Sequence, residues 1–255
     1  MHMDKNTLVG IGALVVIIGG LVLYVGLRPS PAKAPTEDLP AALNGSYIEH
    51  ADYYDIETAY PTETPLPGDA NEAAVTLMQG WVIETVSQFK TDGNFDNLTA
   101  EDITVLGFDQ GRKEALKITY TTVSSPRTVS YFFTVYTDTL GAHPNAFFKT
   151  FTFDTATGAA LSLGDLFIPG AKYLDQLSTI ARAKLPGIIG QYTDTDYIKT
   201  GTELKDENFQ NFIIDKATLN ILFEPYQVGP YAIGSQTLPI PLADLASILK
   251  SEYKP

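Results

Sequence analysis

The chain has 255 residues, with 17 Lys and Arg against 30 Asp and Glu, and a formal net charge of −13 at pH 7. So acidic a chain repels nucleic-acid phosphates, which excludes nucleic acid as an expected partner and favours a basic one. It contains no cysteine, which rules out disulfides, thiolate metal sites, cysteine nucleophiles and a lipoprotein anchor.

Leu8 to Leu27 carries no charge and no proline. At the helical rise these twenty residues reach about 30 Å, the thickness of a bilayer's hydrocarbon core. The expected reading is an N-terminal transmembrane signal anchor over 8–27. A cleavable signal peptide competes through the small-x-small stretch Ala32-Lys33-Ala34, but Pro35 follows it directly. The apolar run is also longer than a usual signal core. Residues 1–7 form a short tail on the cytoplasmic side, and the bulk of the chain is expected to be extracytoplasmic. The glycines at 10, 12, 19, 20 and 26 include no pair four apart, so the close-packing dimer motif is absent.

Residues 28–45 hold Pro29, Pro31, Pro35 and Pro40 and read as an extended tether. The charges of residues 1–45 cancel (Asp4, Glu37 and Asp38 against Lys5, Arg28 and Lys33), so the whole net charge lies on residues 46–255. Tyrosine-rich alternation over Ser46 to Tyr60 predicts strand, and a helical period follows from Ala70 to Phe89 through Val75, Met78, Val82, Val86 and Phe89. Asp69 or Asn71 is the expected cap and Asp92-Gly93 the stop. Strands are predicted at Leu116–Val123, Val129–Leu140 and Asn145–Phe153, the last two joined by the loop Gly141-Ala142-His143-Pro144.

A helix over Tyr173–Ile188 limited by Pro186, a hairpin of Phe212–Ile214 with Leu219–Phe223, a strand through Tyr231–Ile240 and a last helix over Pro241–Leu249 complete the prediction. Helices do not alternate regularly with strands. The expected fold class is therefore α+β, with mainly antiparallel sheet and a few packed helices after one transmembrane helix. Its expected divisions are a companion region at 46–110 and a C-terminal region at 111–255.

Two segments go beyond general patterning. One runs Gly141-Ala142-His143-Pro144-Asn145, then Phe151-Thr152-Phe153-Asp154-Thr155-Ala156-Thr157-Gly158 and Leu161-Ser162-Leu163-Gly164-Asp165-Leu166-Phe167. The other runs Phe223-Glu224-Pro225-Tyr226-Gln227-Val228-Gly229-Pro230-Tyr231-Ala232, with Gly234 and Ile240-Pro241. Together they resemble the extracytoplasmic domain of RsiV-type anti-sigma factors, a module that also accompanies the catalytic domain of PdaC-type peptidoglycan deacetylases. The resemblance covers residues 47 to 250. It implies a membrane-tethered recognition domain of the cell envelope, which in the RsiV branch binds lysozyme. An anti-sigma role would need a sigma-binding segment before the span, where only Met1 to Thr7 stand, so that role is not expected. Deacetylation would need a separate catalytic domain.

The residues themselves offer little chemistry. Thr152-Phe153-Asp154 opens like a deacetylase Thr-Phe-Asp-Asp-Gly motif, but Thr155 replaces the second aspartate. The only histidines, His2, His50 and His143, cannot supply a metal-binding pair one helical turn apart. As a general base His143 would need an orienting carboxylate, with Asp138, Asp154 and Asp165 available in sequence; a hydrogen-bonded loop role is the plainer expectation. Asp92-Gly93-Asn94-Phe95-Asp96 begins like a calcium loop, then fails at Asn97 and Ile103. No serine-hydrolase elbow, P-loop or dinucleotide fingerprint is present. No metal or cofactor is expected.

Of the many tyrosines, Tyr53, Tyr54, Tyr60, Tyr131 and Tyr136 fit sheet propensity, and the Tyr226 to Tyr231 segment is the expected exposed exception. The candidate binding residues are accordingly His143, Pro144, Asn145, Tyr226 and Tyr231. The expected function is a membrane-anchored, non-enzymatic module that recognises peptidoglycan, lysozyme or another basic muramidase. A carboxylate-dependent envelope hydrolase or transferase is the alternative, and a purely structural envelope protein a third reading.

Overall fold

The computed structural model describes residues 45–255. The expected tail, the 8–27 span and residues 28–44 of the tether lie outside the described residues. Among the described residues, no helix is long and apolar enough to cross a membrane.

Alternating apolar positions build a six-stranded sheet in chain order. Its strands are β1 (Ser46–His50), β2 (Tyr54–Ala59), β3 (Glu114–Ser124), β4 (Thr128–Asp138), β5 (Asn145–Asp154) and β6 (Ala160–Leu161). The expected strand at 46–60 is thus a hairpin, closed by the bond from Ala51 N to Tyr54 O at 2.9 Å. All neighbours are antiparallel except β2 and β3, which pair in parallel with Ile56 opposite Leu116. A parallel pair needs a long crossover. Here it contains α1 (Asp69–Gly93) and α2 (Ala100–Leu106), so strands on both sides of residue 110 belong to one sheet.

Helix α1 buries Ala74, Met78, Val82, Val86 and Phe89 along one stripe against Ile56, Leu116, Phe133 and Val135. Trp81 flanks the stripe and meets Phe133 edge-on at 5.2 Å. The expected side-chain cap is absent. Gly68 holds the N-cap position, while Asn71 Oδ1 accepts from Thr64 N at 2.6 Å and Thr64 Oγ1 at 2.9 Å. Left-handed Asn94 closes the other end, its N–H bonded to Lys90 O. Near that end Glu49 accepts from Tyr47, Tyr54 and Lys90, which ties edge strand β1 to the helix.

The C-terminal part has its own core. A three-stranded antiparallel sheet of β7 (Phe212–Asp215), β8 (Thr218–Phe223) and β9 (Gln236–Pro241) packs with α3 (Tyr173–Ile189) and α4 (Thr195–Gly201). Leu177, Ala181, Leu185, Phe209, Ile221, Phe223 and Ile240 are at its centre. Pro186 lies inside α3 and the helix continues three residues beyond it.

Two expectations fail here. The helix over Pro241–Leu249 is a single 3-10 turn, Leu242–Leu245, after which the chain pairs with an earlier segment. Ile168 N donates to Ile248 O and Lys250 N to Leu166 O, both at 2.9 Å, and these bonds displace helical ones. The strand expected from Tyr231 begins only at Gln236, because Tyr231–Ile233 forms a 3-10 turn closed by Gly234 at φ 63°. The class is α+β with antiparallel-rich sheet, as expected, and among the described residues it holds four helices, of which α2 and α4 were not predicted.

Side chains connect the two sheets. β6 covers only the Thr152–Phe153 end of β5. Further along that edge, Phe148 N donates to Glu224 Oε1 at 3.3 Å and Thr150 N to Asn211 Oδ1 at 3.3 Å. Phe212 N donates to Thr150 Oγ1 at 3.1 Å, and Thr152 Oγ1 to Phe212 O at 3.2 Å. An open strand edge needs such partners, and here Asn211 and Glu224 replace a seventh strand.

Candidate binding site

The β4–β5 loop presents His143 and Pro144, and the β8–β9 loop presents Tyr226 and Tyr231. The second loop is held by Gln227. Its Nε2 donates to Gly201 O at 3.2 Å and Asn208 O at 2.9 Å, while its Oε1 accepts from Glu224 N at 3.1 Å. Gly201 is required for that approach, since a Cβ there would lie 2.0 Å from Gln227 O. Beside this anchor Tyr226 adopts φ 69°, a left-handed conformation disfavoured for a bulky residue.

The rings of His143 and Tyr231 stack at 4.1 Å between centroids and 21° between planes. Tyr226 lies 5.5 Å from Tyr231, and its hydroxyl is 3.4 Å from His143 Nε2. Pro144 contributes its carbonyl, which is 2.9 Å from His143 Nδ1 and accepts from the Tyr231 hydroxyl at 2.9 Å. The carbonyl can only accept, so Nδ1 is the donor in that contact. Tyr226 is 50 % exposed and Tyr231 37 %, so this small aromatic surface faces solvent. Four of the five expected residues therefore meet in space. Asn145 does not join them: it is exposed at the first position of β5, opposite Thr137.

Glu224 is the residue missed in the sequence, although it stands two positions before Tyr226. Burial pushes its carboxyl above the usual range, against the downward pull of the Phe148 N–H and Lys149. Asn211 Nδ2 also reaches Glu224 Oε1, at 3.4 Å.

The carboxylates considered as partners for His143 are engaged elsewhere. Asp138 accepts from Leu140 N, and Asp165 caps the turn begun by Ser162. Asp154 accepts from Ala156 N, Thr157 N, Arg127 Nε and the Tyr253 hydroxyl. The Thr-Phe-Asp likeness thus ends in a structural clamp. The calcium-like loop becomes a 3-10 turn over Phe95–Asn97, with Asp92 bonded to Gln88. Among the described residues, no group of three His, Asp or Glu is placed to hold a metal ion. Tyr60 and Tyr131 are core residues, and Tyr53 packs on Phe108 at 5.0 Å.

Fold and ring cluster together define a two-sheet α+β domain with a loop-borne aromatic surface. Residues 164–243 match the family model described as "Protein of unknown function (DUF3298)". The chain is 34 % identical over 143 residues to the peptidoglycan-N-acetylmuramic acid deacetylase PdaC of Bacillus subtilis, across 56 % of this chain and 31 % of that protein. It is 29 % identical over 101 residues to an esterase of Mycobacterium tuberculosis, across 40 % of this chain and 43 % of that one. It therefore spans less than half the length of each.

Two solved structures share the fold at 16 % identity. A DUF3298 family member from Bacteroides fragilis has a TM-score of 0.58 over 81 % of this chain and 92 % of its own. A DUF3298 family protein from Pseudomonas aeruginosa has 0.55 over 82 % and 93 %. Residues 164–243 thus resemble the DUF3298 family, and the chain is similar over part of its length to PdaC.

Proposed function

We propose that this chain is an RsiV-like binding module, anchored in the cell membrane through residues 8–27 with its C-terminal part extracytoplasmic. Its ligand is a basic cell-wall hydrolase such as lysozyme. The observation that carries this reading is the exposed cluster of His143, Tyr226 and Tyr231, built from two loops that are remote in sequence. Aromatic groups held by hydrogen bonds lose little freedom on binding and serve as anchors in interfaces. The net charge of −13 would steer a basic protein toward them. The PdaC likeness supports an envelope setting.

Calorimetric titration of the full-length protein with lysozyme tests the reading, with the lysozyme cleft open or filled by a chitooligosaccharide. Saturable binding that the oligosaccharide abolishes, and that Tyr226→Ala weakens by about tenfold or more, is the expected result. Binding that survives the oligosaccharide but disappears in salt would reduce it to charge attraction. No binding would remove lysozyme and leave peptidoglycan fragments as the ligand to titrate.

A second reading, a carboxylate-dependent hydrolase, draws on Glu224, whose carboxyl burial pushes above the usual range, and on the esterase relative. It requires turnover of a p-nitrophenyl ester that Glu224→Gln abolishes.

A further inference from the structure

A groove of about 510 Å³ runs along the lateral edge of β5 where β6 stops, away from the ring cluster. This is within the usual range for small-ligand sites. Lys149 and Phe151 line its β5 side, and Tyr173, Asp206, Glu207 and Gln210 face them from the start of α3 and the turn before β7. The two sides carry opposite charge. Among the described residues neither Lys149 nor Glu207 has an oppositely charged partner within 4.0 Å, although Lys149 acts on Glu224 and Glu207 on Lys205 at longer range. Lys149 Nζ instead lies over the Phe151 ring at 5.5 Å, and the Tyr173 hydroxyl holds one oxygen of Asp206.

We propose that this groove binds a short peptide through its free ends, the carboxylate at Lys149 and the ammonium at Glu207 and Asp206, with Phe151 and Tyr173 against its apolar side chains. Two features favour a ligand with both charges, and a third disfavours an added strand. A purely anionic ligand would meet two carboxylates, and a purely cationic one would meet Lys149. The edge amides of Phe148 and Thr150 are already taken by Glu224 and Asn211, so an added strand has no ladder to join there. Recognition then falls on the charged ends, where charge-assisted hydrogen bonds are strongest. The site is independent of the lysozyme reading, because it shares no residue with the ring cluster.

Trialanine, its N-acetyl form and its C-terminal amide are the probes, titrated into the full-length protein by calorimetry. Trialanine is expected to bind saturably with a Kd of about 1 mM, and each capped form about tenfold more weakly. Glu207→Gln should weaken trialanine about tenfold yet leave the N-acetyl form unchanged, since that form has no ammonium to lose. Lys149→Met should do the same for trialanine against the amide. Tyr226→Ala should leave trialanine binding as it was. The absence of saturation, equal affinity for capped and free peptides, or loss of trialanine binding in Tyr226→Ala would each overturn the proposal.

Discussion

Asp154 ends β5 and Glu224 accepts from the edge of the same strand, and their environments push them in opposite directions. Burial raises the Asp154 carboxyl, but the Thr157 N–H, Arg127 and Tyr253 outweigh it and hold the group below the usual range. A carboxyl depressed in the folded state contributes stability above its unfolded pKa of about 3.9, and loses it as pH falls through the folded value. Asp154→Asn is expected to cost about 2 kcal/mol at pH 7 in chemical denaturation. It should also flatten the fall of melting temperature below pH 4. Glu224 behaves oppositely. Its raised pKa leaves no penalty below the unfolded value, and burying its charge costs stability as pH rises through the folded one. Glu224→Gln keeps an acceptor for Phe148 N, so it should melt like the wild type near pH 4 and higher than it at pH 7.

At the level of elements, the aromatic surface depends on how closely α4 approaches the β8–β9 loop. Gly201→Ala forces a Cβ into Gln227 O. Relief requires backbone movement, with an expected cost of about 2 kcal/mol. Because Gln227 anchors the loop that carries Tyr226, the proposed lysozyme binding should weaken along with stability. Met78→Ala is the contrasting case. It leaves a cavity under α1 and should cost about 2–5 kcal/mol. It touches neither loop, so affinity measured below the melting temperature should not change. Equal loss of affinity in both variants would detach binding from the loop's position.

Across the whole molecule, the uncompensated negative charge acts at long range and the ring cluster only on contact. Raising salt from low to near-molar concentration is expected to slow the proposed association with lysozyme by about tenfold or more. Dissociation should respond chiefly to Tyr226→Ala, and stopped-flow mixing separates the two rates. The charge is spread over a domain with two cores, one between α1 and the six-stranded sheet, the other around β7–β9. The side-chain bonds of Thr150, Asn211 and Glu224 connect them.

Legibility followed the range of the signal. The alternation of Tyr131, Phe133 and Val135 and the stripe from Met78 to Phe89 announced β4 and α1, because a buried face repeats at the period of its own element. Helices α2 and α4 carried no such stripe. They were not predicted: in the structure Thr99 with Asp102 caps α2, Asp194 caps α4, and α2 buries no residue. Leu242, Leu245 and Leu249 imitated a helical stripe, yet they are buried by a 3-10 turn and a bridge to Phe167.

His143 and Tyr226 were each visible as members of a motif. Their contact across 83 residues was not, since no local period encodes a meeting of two loops. Charge, the exclusion of thiol chemistry and the antiparallel-rich class follow from composition and local pattern. The ring stack, the raised carboxyl of Glu224 and the groove between Lys149 and Glu207 exist only once the second sheet closes on the edge of β5. Burial and distance are properties of the folded chain, and they are what turn these scattered side chains into sites.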